Sequence, residues 1–120
     1  MLPAFRRTHV TSNAIGLLLH YTLDLSTAGG LGLRRVVWMA SVINGPSIGA
    51  AERMGFKREA VLRWALVLPE GKEQGNGRER RKGDPRENLV GRDTVVLAIC
   101  WDDWENGGEE QVNAIMARKF

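Results

Sequence analysis

Hydrophobic and polar positions change their spacing along the chain, and the changes predict helices and strands in mixed order. Between Val10 and about Leu25 the apolar residues recur at three- and four-residue steps, which is typical of an amphipathic helix. We expect one face of this helix to be buried, made of Val10, Ala14, Leu17, Leu18, Tyr21 and Leu25.

Three apolar runs predict strands. The first covers Arg35 to Val42, and two more, from Lys57 to Leu68 and from Asp93 to Trp101, are expected to pair as antiparallel neighbours. Glu109 to Lys119 predicts a short final helix, acidic at its start and basic at its end, as the helix dipole favours. The pattern therefore indicates an α/β protein with a single domain.

The segment between the first two strands carries the signals of a short capped helix. Asn44 can accept a hydrogen bond from a backbone N–H of the first turn, and Pro46 is tolerated there because its missing N–H would have no intrahelical partner. Gly55 can adopt the left-handed conformation that ends a helix. Phe56 can then fold back on Ala51, which is the apolar contact of a Schellman cap.

Composition limits the class of protein. A chain of 120 residues with 43% hydrophobic content is expected to form one packed domain. The single cysteine, Cys100, cannot form an internal disulfide and lies in an apolar run, which predicts a buried, inert thiol and a reducing compartment. No apolar run approaches the ~20 residues of a membrane span, so we expect a cytoplasmic protein without a membrane partner.

The formal charge of +3 raises the question of a nucleic-acid partner. Between Glu70 and Arg92, acidic and basic residues are mixed with one another and with glycines. No aromatic residue is present there for base stacking. We expect a flexible, solvated loop over about residues 70–91. An RNA-facing patch is the alternative, although the mixed charge disfavours a nucleic-acid partner.

Two motifs carry a resemblance to a known family. The pattern Asn-x-x-Ser-x-x-Ala-Ala-Glu-Arg-Met-Gly-Phe over residues 44–56, followed by Glu59 and Arg63, resembles the second cofactor motif of the GNAT acetyltransferases. Further on, Gly91-Arg92-Asp93-Thr94 with Asp102-Asp103-Trp104 resembles the branch that is similar to the ribosomal-protein N-terminal acetyltransferases. The resemblance implies that residues 1–120 are the C-terminal portion of a GNAT fold, truncated on its N-terminal side, with a mixed sheet and flanking helices.

A basic stretch precedes the first helix. Helix N-termini bind phosphate readily, so arginines at this point suggest an anion site, although a solvated helix start is the alternative. By resemblance to the GNAT pyrophosphate loop, Arg6 takes the first position, His9 replaces the usual glycine and Thr11 takes the last small position. The resemblance implies acetyl-CoA (coenzyme A) as cofactor, bound by Arg6, Arg7, Thr8, His9, Val10, Thr11, Asn44 and Ser47.

Candidate catalytic groups are few. Many GNAT members carry a tyrosine at the position of Ala51, where it protonates the departing thiolate, and alanine cannot do this. Ser47, one helical turn earlier, is the nearest hydroxyl and hence the candidate catalytic residue, with a helix-start role as the alternative. His9, His20 and Cys100 lack metal-ligand spacing, and His20 is expected to be a surface residue or a satisfied partner. The carboxylates of Glu59, Asp102 and Asp103 are expected to be structural.

Three hypotheses of function follow. The first is an acetyl-CoA-dependent N-acetyltransferase that acetylates an amine acceptor, either a protein N-terminus or a small molecule. The second is a catalytically inactive fragment that binds coenzyme A or pairs with another chain, a homodimer included. The third is a basic RNA-associated module. The four tryptophans fall on or beside predicted strands and are expected to pack in the core or on a sheet face, with cleft lining as the alternative for Trp64.

Overall fold

The computed structural model of the chain describes residues 9–71 and 75–118, which form one layer of helices on one layer of strands. Helix α1 (His9–Leu23) is followed by a short 3-10 turn (Ser26–Ala28), strand β1 (Arg35–Ser41) and helix α2 (Gly45–Arg53). Two long strands come next, β2 (Lys57–Val67) and β3 (Gly91–Cys100). The chain ends with α3 (Trp101–Asp103), a π-helical turn (Trp104–Gly108) and α4 (Glu109–Met116).

The three strands form an antiparallel sheet in the order β1-β3-β2. Trp38 of β1 lies opposite Leu97 of β3, and Val61 of β2 lies opposite Val95. The predicted pairing of the second and third apolar runs is therefore confirmed. The predicted mixed sheet is not met within the described strands, because every pair among them is antiparallel.

The hydrophobic core lies on one face of this sheet. Helices and strands contribute to a single cluster of buried side chains, namely Leu19, Leu23, Ala40, Ile48, Ala51, Met54, Phe56, Val95, Leu97, Ile99, Trp104 and Val112. The opposite face of the sheet exposes Val37, Met39 and Leu62 by 42%, 60% and 45% of their surfaces. We call these three residues the open sheet face.

The predicted buried face of α1 is wrong. Five of its six residues, Val10, Leu17, Leu18, Tyr21 and Leu25, keep between 45% and 63% of their surface exposed, and Ala14 is exposed as well. Leu19 and Leu23 are buried instead.

Helix α1 packs against α4 through a face that spacing does not single out, because apolar residues surround much of the helix. A β-carbon placed on Gly16 would lie 2.8 Å from the Cγ atom of Met116 and 3.2 Å from Cγ1 of Val112, so a side chain there would have to displace the flexible Met116 side chain. Within the described part of the chain, no helix combines the length and hydropathy needed to cross a bilayer.

The predicted caps of α2 are confirmed. Asn44 Oδ1 accepts a hydrogen bond from the Ser47 N–H at 3.2 Å. At the other end Gly55 has a φ of +98°, the Phe56 N–H donates to the Ala51 carbonyl at 3.0 Å, and the Gly55 N–H donates to the Glu52 carbonyl at 3.1 Å. These two bonds define a Schellman motif.

The tryptophans divide into two pairs. Trp104 is buried and donates from Nε1 to Asp24 Oδ1 at 3.0 Å, and Trp38 donates from Nε1 to Ser47 Oγ at 3.0 Å. Trp64 and Trp101 remain 49% and 50% exposed, so these two do not pack in the core. Trp64 lies on β2, whose residues are all exposed because no further described strand or helix covers it, and Trp101 begins α3.

His20 joins α1 to α4. Its Nδ1 lies 2.8 Å from Asp24 Oδ2 and its Nε2 lies 2.7 Å from Asn113 Oδ1, while its ring meets the Trp104 indole edge-on at 5.0 Å. Burial by itself lowers the pKa of His20, but the two hydrogen bonds and the charges of Asp24 and Glu109 together raise it. His20 is thus the satisfied partner that the sequence predicts.

Stability should depend on pH through His20. Because its pKa is raised on folding, the stabilisation is complete below about pH 6.5, the unfolded value, and is lost as the pH rises through the folded pKa. The free energy of unfolding, measured with urea at pH 6 and pH 8.5, should therefore be lower at the higher pH. The His20→Gln variant should lose this dependence, whereas His9→Gln should retain it. An unchanged pH dependence in His20→Gln would refute this assignment.

Candidate functional site

Helices α1 and α2 both adjoin β1. Backbone hydrogen bonds from Leu31 to Tyr21 (2.8 Å) and from Leu33 to Thr22 (2.9 Å) join the end of α1 to the segment that enters β1, and α2 begins after the end of β1. At the start of α2 the Ser47 N–H is already bonded to Asn44 Oδ1, and Pro46 has no N–H. Both helix starts carry partial positive charge, which attracts anions.

The structure brings part of the predicted cofactor site to these two helix starts. Val10 and Thr11 lie in the first turn of α1, and Asn44 and Ser47 lie at the start of α2. The cap uses the oxygen of Asn44, so its amide nitrogen can still donate to a bound molecule. Arg6, Arg7 and Thr8 lie outside the described residues, as does the side chain of His9.

Ser47 has a defined partner in the core. Its hydroxyl oxygen accepts the indole N–H of Trp38, and the hydroxyl retains its own proton for donation. Ala51, where the family carries tyrosine, is fully buried and offers no polar atom. Within α2, Ser47 is therefore the hydroxyl that could donate a hydrogen bond to a leaving group at this end of the sheet.

Of the three carboxylates named from the sequence, Glu59 and Asp103 are engaged in ion pairs, and Asp102 Oδ1 accepts the Asp103 N–H at 3.1 Å. Glu59 binds Arg35 through both oxygens at 2.6 and 3.0 Å, and this guanidinium lowers the pKa of Glu59. Asp103 accepts from Lys57 at 2.7 Å and from the Cys100 N–H at 3.0 Å, and both bonds lower its pKa. Carboxylates held ionised in this way are weak bases, which agrees with the structural roles predicted for them.

Asp93 is the polar residue whose role the sequence did not reveal. It is 3% exposed and accepts three hydrogen bonds: from the Trp64 N–H at 2.9 Å, from Asn76 Nδ2 at 2.8 Å and from Arg78 Nε at 2.9 Å. The bond from Trp64, with those from Asn76 and Arg78, lowers the pKa of Asp93 although burial opposes this. The sequence signal for this role was a single carboxylate at the start of a mostly apolar strand.

The charged connection between β2 and β3 is hydrogen-bonded in its described part. The Asn76 N–H donates to the Gly91 carbonyl at 2.8 Å, and Arg80 Nη1 donates to the Asn88 carbonyl at 2.8 Å. The bond to Gly91 and the two bonds to Asp93 hold Asn76 and Arg78 against β3, whereas the bond between Arg80 and Asn88 lies within the connection. The flexibility predicted for residues 70–91 as a whole stays a prediction.

A cavity of about 400 Å³ lies between this connection and β2. Its apolar wall is formed by Trp64, Leu66, Val67 and Leu89, and charged residues of the connection form the rest. The cavity lies at the same end of the sheet as the start of α2, because the Val42 N–H donates to the Asp93 carbonyl at 3.0 Å.

Comparison with solved structures identifies the architecture. A GCN5-related N-acetyltransferase from Brucella melitensis superposes on 96% of this chain with a TM-score of 0.69 and 28% sequence identity. The chain has the fold of the GNAT acetyltransferases. A probable GNAT-family acetyltransferase from Chromobacterium violaceum ATCC 12472 covers 86% of the chain with a TM-score of 0.59 and 33% identity. Likeness to these proteins assigns the GNAT fold to the chain.

The chain spans less than half of the proteins that it matches, 41% of the Brucella protein and 39% of the Chromobacterium protein. No protein-family profile matches the sequence, and no curated protein sequence matches it.

Proposed function

We propose that the chain is the C-terminal, cofactor-binding portion of a cytoplasmic N-acetyltransferase that transfers an acetyl group from acetyl-CoA to an amine. We place it in the branch similar to the ribosomal-protein N-terminal acetyltransferases, with a protein N-terminus or a small amine as acceptor. The observation that carries this proposal is the likeness to the Brucella acetyltransferase over 96% of the chain. The motif around the capped helix α2 agrees with it.

Coenzyme A would bind at the starts of α1 and α2. Backbone N–H groups at the start of α1, together with Arg6, Arg7, Thr8, His9, Val10 and Thr11, would hold the pyrophosphate. The amide nitrogen of Asn44 would donate to the pantetheine arm. When bound, the cofactor supplies an acetyl thioester, and Ser47 would donate its hydroxyl proton towards the thiolate that leaves.

The arginines before α1 provide a direct test of the cofactor site. Replacing both Arg6 and Arg7 by alanine should weaken coenzyme A binding by about 1–3 kcal/mol, the scale of charge-assisted hydrogen bonds. The affinity can be measured by calorimetric titration. The matched control is Arg34→Ala combined with Lys57→Ala, which removes two positive charges at the opposite end of the sheet and should leave the affinity unchanged. Equal affinities for both double variants would exclude a pyrophosphate site at Arg6 and Arg7.

Turnover tests the enzymatic part of the proposal separately. Acetyl transfer can be followed as thiol release from acetyl-CoA in the presence of a mixture of amines and peptides. Thiol release that depends on an added amine supports the hypothesis that the chain is an enzyme. Coenzyme A binding without such release favours the second candidate, a fragment that binds the cofactor or pairs with another chain.

The second candidate is favoured by the amount of apolar surface. The radius of gyration is 17.5 Å, whereas a compact domain of this length has about 13.6 Å. The open sheet face and the exposed side of α1 together present apolar side chains on two sides of the molecule. Surfaces of this kind are typical of interfaces with another polypeptide.

A further inference from the structure

Trp64 has an unusual backbone conformation. Its φ is +54°, and it is the one non-glycine residue with positive φ among those that the structure describes. The pairing of β2 with β3 shifts register between Leu62 and Leu66, so Trp64 lies within an irregularity of the strand. Such irregularities redirect a side chain, and strained residues persist only where their surroundings hold them.

Two residues of β3 hold Trp64 in this conformation. The buried carboxylate of Asp93 accepts the Trp64 N–H, which the irregular strand has turned away from the usual ladder. Gly91 gives the indole its place, since a β-carbon there would lie 2.6 Å from the Cζ3 atom of Trp64. A side chain at position 91 would therefore displace the indole.

The indole held in this way forms one wall of the 400 Å³ cavity. Next to it, Leu66, Val67 and Leu89 provide apolar surface, while β2 leaves Trp64 half exposed towards the cavity and solvent. The charged part of the lining contains three carboxylates and three guanidinium groups, those of Glu79, Asp84, Glu87, Arg80, Arg81 and Arg86.

The charges of this lining balance, and one ion pair forms within it. Arg81 pairs with Asp84 at 3.1 Å, while Arg80 donates to the neutral Asn88 carbonyl and keeps its charge. Glu79 and Glu87 are the two carboxylates outside this pair, and these are the groups that an ammonium would approach. The indole face adds a second attraction for a cation.

We propose that this cavity binds the acceptor amine, and that it selects an amine carrying an aromatic or bulky aliphatic group. The apolar group would pack on Trp64 and Leu66, and the ammonium would lie towards Glu79 and Glu87. Asp93 is a positioning residue that acts through Trp64. That the ligand is an acceptor rests on the proposed function. Its chemical class rests on the geometry of the cavity alone.

Titration with two simple amines tests the class of ligand. 2-Phenylethylamine should bind at least fivefold more tightly than ethylamine, because stacking on an indole adds to apolar burial. In Trp64→Ala the affinity for 2-phenylethylamine should fall by about fivefold to tenfold, and Trp64→Phe should restore most of it. Trp101→Ala, which removes an equally exposed tryptophan outside the cavity, should bind as the wild type does. Equal affinities of the two amines, or equal losses in Trp64→Ala and Trp101→Ala, would overturn the proposal.

The positioning role of Asp93 is tested by a measurement that reports on the Trp64 indole itself. Asp93→Asn and Arg78→Gln should both reduce the part of the near-ultraviolet circular dichroism that Trp64→Ala removes, and should weaken 2-phenylethylamine binding by about threefold or more. Far-ultraviolet spectra identify any variant that does not fold. If Asp93→Asn does not fold, Arg78→Gln, which lies on the loop, tests the positioning role by itself. A native Trp64 signal and native affinity in a folded variant would refute the role.

Coenzyme A titrations on the same variants keep this inference apart from the proposed function. Affinity for coenzyme A should be unchanged in Trp64→Ala and Arg78→Gln. Loss of amine binding alone therefore concerns the cavity, whereas a wild-type chain that binds the amine but no coenzyme A would contradict the proposed function and leave the cavity site standing.

Discussion

Sedimentation of the isolated chain is expected to give dimers or larger assemblies and little 13.3 kDa monomer. The helices cover one face of the sheet, while the open sheet face and the exposed side of α1 are left to solvent. Both outer strands of the described sheet, β1 and β2, also present unpaired backbone groups along one edge. Unpaired strand edges and contiguous apolar surface recruit further chains.

Charged substitutions separate the two surfaces. Met39→Glu places a charge in the middle of the open sheet face and should shift the chain towards monomer if this face drives association. Leu18→Glu does the same for the exposed side of α1, where Leu18 is 56% exposed. A wild-type chain that sediments as a monomer at micromolar concentration would contradict the prediction.

Acetyl transfer by the isolated chain is expected to lie roughly a hundredfold or more below that of the Brucella protein. General-base catalysis contributes about 10²–10⁴-fold, and the candidate carboxylates among the described residues are not free to provide it. Glu59 and Asp103 are held in ion pairs, and the chain spans 41% of that protein. Thiol release under identical conditions measures the ratio. A rate close to that of the Brucella protein would mean that these residues form a complete site.

Helix α2 shows what could be predicted from the sequence. Its start and end depend on Asn44, Pro46 and Gly55, which act on backbone groups within a few residues of themselves. The antiparallel pairing of β2 with β3 was predictable for a similar reason, because two apolar runs joined by one connection have few ways to pair. Interactions that are local in sequence can be inferred from the sequence.

The features that were missed depend on contacts between distant segments. The buried face of α1 packs against α4, where Gly16 lies against Met116, a pair separated by 100 positions in the chain. Asp93 binds Trp64, Asn76 and Arg78 from two other segments, and no spacing rule links these residues. Trp64 is exposed because β2 is exposed along its whole length.

Replacing Trp104 by alanine is expected to cost about 3–5 kcal/mol of the free energy of unfolding, the range measured for large buried aromatic residues. Trp104 is 2% exposed, packs in the core cluster, and donates its indole N–H to Asp24, which also binds His20. The substitution therefore opens a cavity and removes a donor from Asp24 at the same time. The melting temperature should fall by roughly 10–20 °C, since each kcal/mol shifts it by about 4 °C in a domain of this size.

Two matched variants separate the contributions of Trp104. Trp101→Ala removes the same side chain three residues earlier, where it is 50% exposed, and should change the free energy of unfolding by less than about 0.5 kcal/mol. Trp104→Phe keeps most of the apolar volume but not the N–H, so its cost should lie between the two. Denaturant titrations at constant pH give all three values, since the charge of His20 changes with pH. Equal effects of Trp101→Ala and Trp104→Ala would show that Trp104 does not hold α1 to the π-helical turn as the core cluster indicates.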